Sequence, residues 1–180
     1  MPFTDPAHDI DVSRGMESGR VVEPLYNMYF HRLSAQCCKD GGLMIDVGAN
    51  FGYYSLLAAK MGCRVVAWEP VPVFRAFVTT ALRLNNLTHR VHVRPTVISD
   101  VGGQTVSMTV PLRGIWGTAS VGGLNVDPSI RSPTYTVDVL SETLDQVVTE
   151  QPCIMKLDVE GYEPEVLKGA RKMLASYLPT

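Results

Sequence analysis

The sequence lacks a long apolar run and an excess of charge of one sign, and each absence excludes a class of protein. No apolar stretch approaches the roughly 20 residues that a membrane-spanning helix requires. The 18 acidic and 16 basic residues nearly balance, and the lysines and arginines are scattered along the chain. Nucleic-acid binding needs a concentrated basic surface, so nucleic acid is not an expected partner. The N-terminus carries acids and prolines where a signal peptide has a basic start and an apolar core. We therefore expect a cytoplasmic protein with no membrane partner.

Cysteine is also scarce, and its spacing gives no recognised metal motif. The four cysteines are Cys37, Cys38, Cys63 and Cys153, and none of them forms a C-x-x-C pair. The adjacent pair has a spacing that suits neither a zinc site nor an ordinary disulfide. We expect reduced cysteines that pack as small hydrophobic side chains, and no metal site.

What the sequence does have is the composition of one globular domain. Its 180 residues are 46% hydrophobic and 19% charged, and a chain of this length needs no disulfide or metal to build a core. The first 20 residues are polar and show no clear period, which predicts a loosely ordered N-terminal arm. Residues 21–180 form the predicted domain.

Short apolar runs alternate with helical patterns along this domain. The runs predict buried strands over residues 43–47, 64–68, 91–94 and 153–157. The patterns predict helices over 22–38 and 53–61, around 74–82, in a short segment opening at Thr143, and from about Pro164. Residues 105–110 and 134–139 alternate like strands of an antiparallel excursion. Together these elements predict an α/β fold with a mostly parallel sheet.

A glycine-bearing loop separates the first predicted strand from the next helix. Gly48 and Gly52 lie in this loop, with Asp46 near the strand end and Asn50 between the glycines. In a doubly wound fold the loop lies at the carboxyl end of the first strand, where ligands bind. Gly48 allows a sharp turn and a close backbone approach, and Gly52 allows the helix start to pack tightly.

An acidic residue after the second predicted strand completes a nucleoside-binding pattern. Glu69 follows that strand, and a carboxylate there can accept hydrogen bonds from both ribose hydroxyls. Asn50 takes the place of the second glycine in the dinucleotide fingerprint G-x-G-x-x-G, which argues against NAD. A nicotinamide-dependent oxidoreductase stays as an alternative.

Three motifs in order resemble those of the FkbM-type methyltransferases of class I. They read IDVGANFGYYS at residues 45–55, WEP at 68–70 and KLDVEGYE at 156–163, with VLKGA following at 166–170. The resemblance implies a Rossmann-like domain, with helices on both faces of the sheet, that uses S-adenosylmethionine. It also implies methyl transfer to a hydroxyl oxygen of a glycan or small-molecule acceptor.

The resemblance further implies a set of cofactor-binding residues: Asp46, Gly48, Asn50, Gly52, Tyr53, Glu69, Ser99 and Asp100. Within this set, Asp46, Gly48 and Asn50 would line the methionine end of the cofactor and Glu69 would bind the ribose. Ser99 and Asp100 match the position near the adenine. Tyr53 or Tyr54 would lie beside the cationic sulfur, with simple packing at the helix start as the alternative.

Asp158 and Glu160 are the predicted catalytic residues. Asp158 follows the fourth buried strand, so it emerges at the same sheet edge as Gly48 and Glu69. It could act as general base for the acceptor hydroxyl or orient that hydroxyl. The alternative for Glu160 and Glu163 is that they accept free amide hydrogens at the start of the next helix.

The sequence stops where the resemblance predicts the C-terminal strands of the sheet. We therefore expect an incomplete sheet whose fourth strand has an exposed edge, and a second copy of the chain could pair there. Three alternatives follow from the incomplete sheet. The chain is a truncated form, a partner completes its sheet, or the protein binds the cofactor without catalysing transfer. A non-catalytic S-adenosylmethionine-binding or scaffolding protein is thus the main alternative to a methyltransferase.

Overall fold

Four parallel strands form the central sheet of the protein, which we describe from a computed structural model covering residues 9, 12–19, 23–123 and 133–176. The strands of the chain are β1 (Leu43–Val47), β2 (Arg64–Trp68), β3 (Val91–Arg94), β4 (Val97–Ile98), β5 (Thr105–Pro111), β6 (Ser120–Val121), β7 (Thr134–Glu142) and β8 (Pro152–Leu157). The helices are α1 (Val12–Glu17), α2 (Pro24–Lys39), α3 (Tyr53–Met61), α4 (Pro72–Leu84), α5 (Leu144–Val147), α6 (Glu163–Lys168) and α7 (Arg171–Ala175), with a 3-10 turn over Trp116–Thr118.

The central sheet has the order β3-β2-β1-β8, and every neighbouring pair is parallel. β1 lies in the middle, and all five of its residues are buried, as its apolar run predicts. In this register Asp46 is paired with Ala67 on one side and with Lys156 on the other. The predicted α/β fold is confirmed, and the carboxyl ends of β1, β2 and β8 meet at one edge.

Helices cover both faces of this sheet because successive residues of a strand point to opposite sides. Met44 belongs to the core cluster that β1 forms with α2, α3 and α4. Ile45 and Val47 belong to the cluster on the other face, with α5, α6 and α7. The alternation places Asp46 on the same face as Met44, toward α3, and this decides what its carboxylate contacts.

The predicted antiparallel excursion is confirmed as a second sheet with the order β4-β7-β5-β6. β5 runs antiparallel to β6 and β7, whereas β4 and β7 are parallel. Glu142 at the end of β7 joins the two sheets, since its carboxylate accepts hydrogen bonds from Arg94 Nε (2.8 Å) and Trp68 Nε1 (3.1 Å). These donors, Arg94 foremost, lower the pKa of Glu142 to about 2.

The single helix predicted from about Pro164 is wrong in one respect, because it is divided into α6 and α7. The break falls at Gly169, which crosses the segment after β4 so closely that a Cβ atom would lie 2.0 Å from the carbonyl oxygen of Ser99. Val166 and Met173 still face the core on either side of the break. The close contact between Gly169 and the backbone of Ser99 therefore interrupts the helix, although the spacing of its apolar residues is typical of one continuous helix.

Helix α2 begins near the predicted position, but its apolar stripe faces outward. Leu25, Met28 and Leu33 are exposed, whereas the buried face carries Phe30 and Ser34 together with Asn27 and Cys38. Asn27 donates a hydrogen bond to the hydroxyl of Tyr53 in α3, and Cys38 forms a disulfide with Cys63. These contacts, rather than apolar periodicity, orient the helix.

The prediction of four reduced cysteines is wrong, since all four are paired. Cys37 forms a disulfide with Cys153, and Cys38 forms one with Cys63. Adjacent cysteines in the last turn of α2 reach two different elements, β8 and the turn before β2. Spacing along the chain does not reveal these pairs, because cysteines far apart in the chain meet only when the sheet forms.

Part of the predicted N-terminal arm is helical. Residues 12–17 form α1, and the buried carboxylate of Asp9 accepts hydrogen bonds from the backbone N–H and the hydroxyl of Ser13, at 2.9 and 2.7 Å. The rest of the arm, apart from residues 18 and 19, lies outside the described residues. Its boundary with the domain at residues 20 and 21 stays a prediction.

Two further features bear on the expected partners. Within the ranges described here, no helix is both long and apolar enough to cross a lipid bilayer. β8 pairs only with β1 among the described strands, so it is the outer strand of the central sheet. Pairing of a second copy along this strand stays a prediction.

Candidate functional site

A cavity of about 340 Å³ opens at the carboxyl edge of the central sheet. The glycine loop after β1, the turn after β2 and the loop after β8 form one side, and β4, β5 and β6 of the second sheet contribute to the other. This volume lies in the range of small-molecule sites, and the position matches the switch-point rule for parallel α/β sheets. Six of the predicted site residues line the cavity: Gly48, Asn50, Tyr53, Glu69, Asp158 and Glu160.

Gly48 has a left-handed backbone with φ of +83° and lies against the loop after β8. A Cβ atom at this position would lie 1.9 Å from the carbonyl oxygen of Asp158. The sequence predicts that the backbone at Gly48 approaches a ligand closely. In the structure this backbone also lies very close to the protein's own backbone at Asp158. Gly52 lies outside the lining, and a Cβ there would meet the side chain of Val78 in α4 at 2.9 Å.

Glu69 is almost fully buried at the end of β2, with 4% of its surface exposed. One oxygen, Oε2, accepts a hydrogen bond from the backbone N–H of Asn50 at 2.7 Å, and Oε1 accepts one from the N–H of Val71 at 2.8 Å. Burial raises the pKa of this carboxyl to about 7, although the two amide donors work in the opposite direction. Each oxygen of the carboxylate keeps a further lone pair for a ligand donor.

Asn50 links the glycine loop to this carboxylate and carries a buried side-chain acceptor beside the cavity. Its backbone is left-handed, with φ of 51°, which aims its N–H at Glu69. Its side-chain oxygen Oδ1 is buried and has no hydrogen-bond partner in the protein. An unpartnered buried acceptor beside a cavity is favourable only if a ligand supplies the donor.

Asp46 was predicted to line the methionine end of the cofactor, but it is not part of the cavity lining. Its side chain is 1% exposed, and Oδ2 accepts a hydrogen bond from the hydroxyl of Ser55 in α3 at 2.6 Å. Its other oxygen lies 3.6 Å from Nζ of Lys156 on β8. Asp46 thus lies beneath the glycine loop and stabilises it through its contacts with Ser55 and Lys156.

Lys156 lines the cavity and was not predicted. Its ammonium group donates a hydrogen bond to the carbonyl oxygen of Gly48 at 2.7 Å and lies 3.4 Å from the carboxylate of Asp158. Burial opposes its charge, but Asp46 and Asp158 outweigh that effect and raise the pKa of Lys156 above its usual value. The signal was available, because strand alternation puts residues 156 and 158 on the same side.

The loop after β8 carries both predicted catalytic acids. Asp158 leaves 53% of its side chain exposed at the cavity, and Glu160 has a left-handed backbone with φ of 56°. Glu163 does not line the cavity, and its carboxylate accepts hydrogen bonds from the N–H groups of Val159 and Gly161 at 3.0 and 3.1 Å. Glu163 therefore binds amides of the loop that precedes α6, whereas the helix N-cap has no side-chain hydrogen bond.

Ser99 and Asp100 lie one contact away from the cavity. The hydroxyl of Ser99 is 2.9 Å from the hydroxyl of Tyr162, which does line the cavity, and it donates to Asp100 at 3.0 Å. Ser99 thus contacts the cavity lining through Tyr162, and a direct role of Ser99 and Asp100 at the cofactor stays a prediction. Tyr162 is a second lining residue that the sequence analysis missed.

Tyr53 and Tyr54 line the cavity and also anchor helix α2, so the two interpretations offered for them are compatible. The hydroxyl of Tyr54 donates to the carboxylate of Glu23 at 2.8 Å, and Asn27 donates to the hydroxyl of Tyr53. The Tyr54 ring packs edge-on against Phe30, with 4.9 Å between centroids. Burial, followed by the hydrogen bond to Glu23, raises the pKa of Tyr54.

The parallel sheet, the glycine loop and the buried carboxylate define a Rossmann-like domain with a nucleoside-type site. The model of the family described as Methyltransferase FkbM domain matches residues 46–180. The chain belongs to this family, which confirms the family that its three motifs predict. No curated protein sequence matches the chain significantly.

Several solved structures are similar to part of the chain. P. horikoshii TYW2 in complex with MeSAdo is 18% identical over 61% of this chain and 46% of its own, with a TM-score of 0.33. Coclaurine N-methyltransferase bound to N-methylheliamine and SAH is 23% identical over 52% and 25%, with a TM-score of 0.35. PRMT6 with SAH is 22% identical over 40% and 21%, also with a TM-score of 0.35. The chain thus spans less than half the length of each of these proteins.

Proposed function

We propose that the cavity binds S-adenosylmethionine and that the protein transfers the methyl group to a hydroxyl oxygen of a glycan or small molecule. The observation that carries this proposal is the hydrogen bond from the Asn50 N–H to Glu69 Oε2. It joins the glycine loop and the acidic residue into one wall of one cavity. These two elements would otherwise be separate features of a common fold.

The residues around the cavity fit the chemical groups of this cofactor. The free lone pairs of Glu69 suit the two ribose hydroxyls, and the unpartnered Oδ1 of Asn50 suits an additional donor. Among the described residues, four carboxylates line the cavity, from Glu23, Glu69, Asp158 and Glu160, against one cation, Lys156. An excess of negative charge favours a ligand that carries a sulfonium and an ammonium group.

When bound, the cofactor supplies an electrophilic methyl group on a positively charged sulfur. Asp158 is placed to accept the proton of an acceptor hydroxyl, because its carboxylate lines the cavity and half of it is open to an incoming molecule. As the acceptor oxygen becomes methylated, its proton would pass to the carboxylate of Asp158. Lys156, 3.4 Å away, holds this carboxylate beside the glycine loop. Glu160 is a second candidate for the same proton.

Calorimetric titration with S-adenosylhomocysteine and with NAD tests the cofactor assignment. We expect binding of S-adenosylhomocysteine and none of NAD. The opposite preference would overturn the proposal and favour an oxidoreductase. Failure to bind either nucleoside would also contradict it.

The acceptor assignment is tested separately, with labelled S-adenosylmethionine and panels of sugars, phenols and amines. We expect label in base-stable ethers of hydroxyl compounds. Asp158→Asn should slow transfer by about 10²–10⁴-fold, a larger effect than any change in S-adenosylhomocysteine affinity from the loss of one lining charge. Glu165→Gln, an acid on α6 outside the cavity lining, should change neither quantity. Tight cofactor binding with no transfer to any panel would support the non-catalytic alternative.

A further inference from the structure

The four cysteines converge at the opposite edge of the central sheet from the cavity. Cys63 directly precedes β2, Cys153 lies at the start of β8, and Cys37 and Cys38 end helix α2 beside the start of β1. The sulfur atoms of Cys37, Cys38 and Cys63 all lie within 4.8 Å of one another. Two disulfides therefore share one small cluster, which does not overlap the cavity lining.

The two disulfides differ in their accessibility. Cys38 and Cys63 are buried, with 2% and 0% exposed, whereas Cys153 is exposed and Cys37 is partly buried between them. A Cβ atom on Gly42 would lie 2.6 Å from Sγ of Cys153, so the backbone covers the inner side of this bond. We call Cys37–Cys153 the outer disulfide because Cys153 is an exposed residue, whereas both residues of Cys38–Cys63 are buried.

The two disulfides are nevertheless in contact, because Sγ of Cys37 lies 3.5 Å from Sγ of Cys63. Thiol–disulfide exchange needs a thiolate within reach of a disulfide sulfur. Once the outer disulfide is opened, Cys37 is in that position. Cys153 lies outside the group of three mutually close sulfurs.

We propose that these four cysteines form a thiol–disulfide exchange site for a small dithiol, with Cys153 as the outer cysteine and Cys37 as the relay to the buried pair. One thiolate of the dithiol attacks Cys153, forms a mixed disulfide, and releases Cys37 as a thiolate. The second thiol of the reagent then displaces Cys153 as a thiolate, and the reagent leaves as a cyclic disulfide. Cys37 attacks Cys63, which forms the Cys37–Cys63 bond and transfers the electron pair of the broken bond to Cys38. Electrons thereby pass from the dithiol to the buried disulfide.

Two single substitutions distinguish exchange through Cys37 from non-specific disulfide exchange. In Cys153→Ser the unpaired thiol is Cys37, and we expect exchange to distribute the free thiol between Cys37 and Cys38. In Cys37→Ser the unpaired thiol is Cys153, and we expect Cys38–Cys63 to persist with the free thiol confined to residue 153. Acid quenching, alkylation and peptide mapping of the native proteins measure both distributions, and circular dichroism establishes that each variant is folded.

The wild-type protein provides a measurement that does not depend on either variant. After oxidation with oxidised glutathione, one equivalent of dithiothreitol should produce a Cys37–Cys63 cross-linked peptide, with Cys38 and Cys153 alkylated. Absence of this peptide, or a free thiol confined to Cys37 in Cys153→Ser, would overturn the proposal. Equal scrambling in both variants would do so as well. Four thiols that resist oxidation, or that hold a zinc ion in the purified protein, would replace exchange with a metal-binding role.

Discussion

The ammonium group of Lys156 lies 3.6 Å from the carboxylate of Asp46, across the register that pairs these two residues on β8 and β1. This oxygen of Asp46 is buried and has no hydrogen-bond partner, so the pair is an ion pair that is too long for a hydrogen bond. The same ammonium group also donates to the Gly48 carbonyl. Lys156 therefore compensates a buried charge and fixes the glycine loop above it.

Replacement of Lys156 by Met should destabilise the protein strongly. Met fills a similar volume but leaves the Asp46 carboxylate buried with only Ser55 as a donor. We expect the free energy of unfolding in urea to fall by about 3 kcal/mol or more, which is typical when one partner of a buried pair is removed. Lys168→Met removes the exposed Lys168–Glu165 pair on α6 and should cost less than about 0.5 kcal/mol.

The double variant Asp46→Asn with Lys156→Met tests the cause of that loss. Removal of both charges should recover part of the stability, because no uncompensated carboxylate remains. Strictly additive losses would show that Lys156 acts through packing rather than through its charge.

The sequence was sufficient to predict those parts of the fold that local patterns determine. The bounds of β1, β2, β3 and α3 were predicted correctly, because buried runs and glycine stops define them. The cavity lining was predicted for Gly48, Asn50 and Glu69, since each follows a parallel strand at the same edge.

The errors share a different origin, since they arise where distant segments meet. Asp46 lies on the face of the sheet that α3 covers and contacts Ser55, a partner that the motif does not reveal, and its role at the cofactor stays a prediction. The cysteine pairs form between α2, β8 and the turn before β2, so no spacing along the chain reveals them. Contacts between distant segments also explain why the apolar stripe of α2 faces solvent. The contacts of Phe30 with Tyr54 and of Asn27 with Tyr53 orient this helix, and its apolar periodicity does not.

Gly48→Ala should be far more damaging than the same change at Gly103. Both glycines have φ near +80°, so alanine costs about 1–2 kcal/mol at either site for a left-handed backbone. Only at Gly48 does the new methyl group meet backbone, the Asp158 carbonyl, whereas nothing lies within 4 Å at Gly103. Overpacking adds roughly 1–3 kcal/mol. Urea denaturation should therefore separate the two variants, and equal losses would refute the close approach of the two loops.

The affinity for S-adenosylhomocysteine should depend on pH through Glu69. The pKa of this carboxyl is about 7 in the free protein because the group is buried. Ribose hydroxyls donate hydrogen bonds, so they need the ionised carboxylate, whose two oxygens already accept amide hydrogens from Asn50 and Val71. Below pH 7 binding must therefore first remove a proton, and the dissociation constant should rise by up to about tenfold for each pH unit lost. Above pH 7 the carboxylate is already ionised and the affinity should level off.

Calorimetry between pH 5.5 and 8.5 measures this profile, and Glu69→Gln is the matched variant. Its amide cannot ionise, so any remaining affinity should show no inflection near pH 7, and binding should be weaker by about 1–3 kcal/mol because a charged acceptor is lost. A wild-type affinity that stays constant from pH 6 to pH 8 would mean that the ligand does not contact this carboxylate. The nucleoside would then have to be held by other groups of the cavity. A sloping profile that persists in Glu69→Gln would instead assign the titration to another lining acid, such as Asp158 or Glu160.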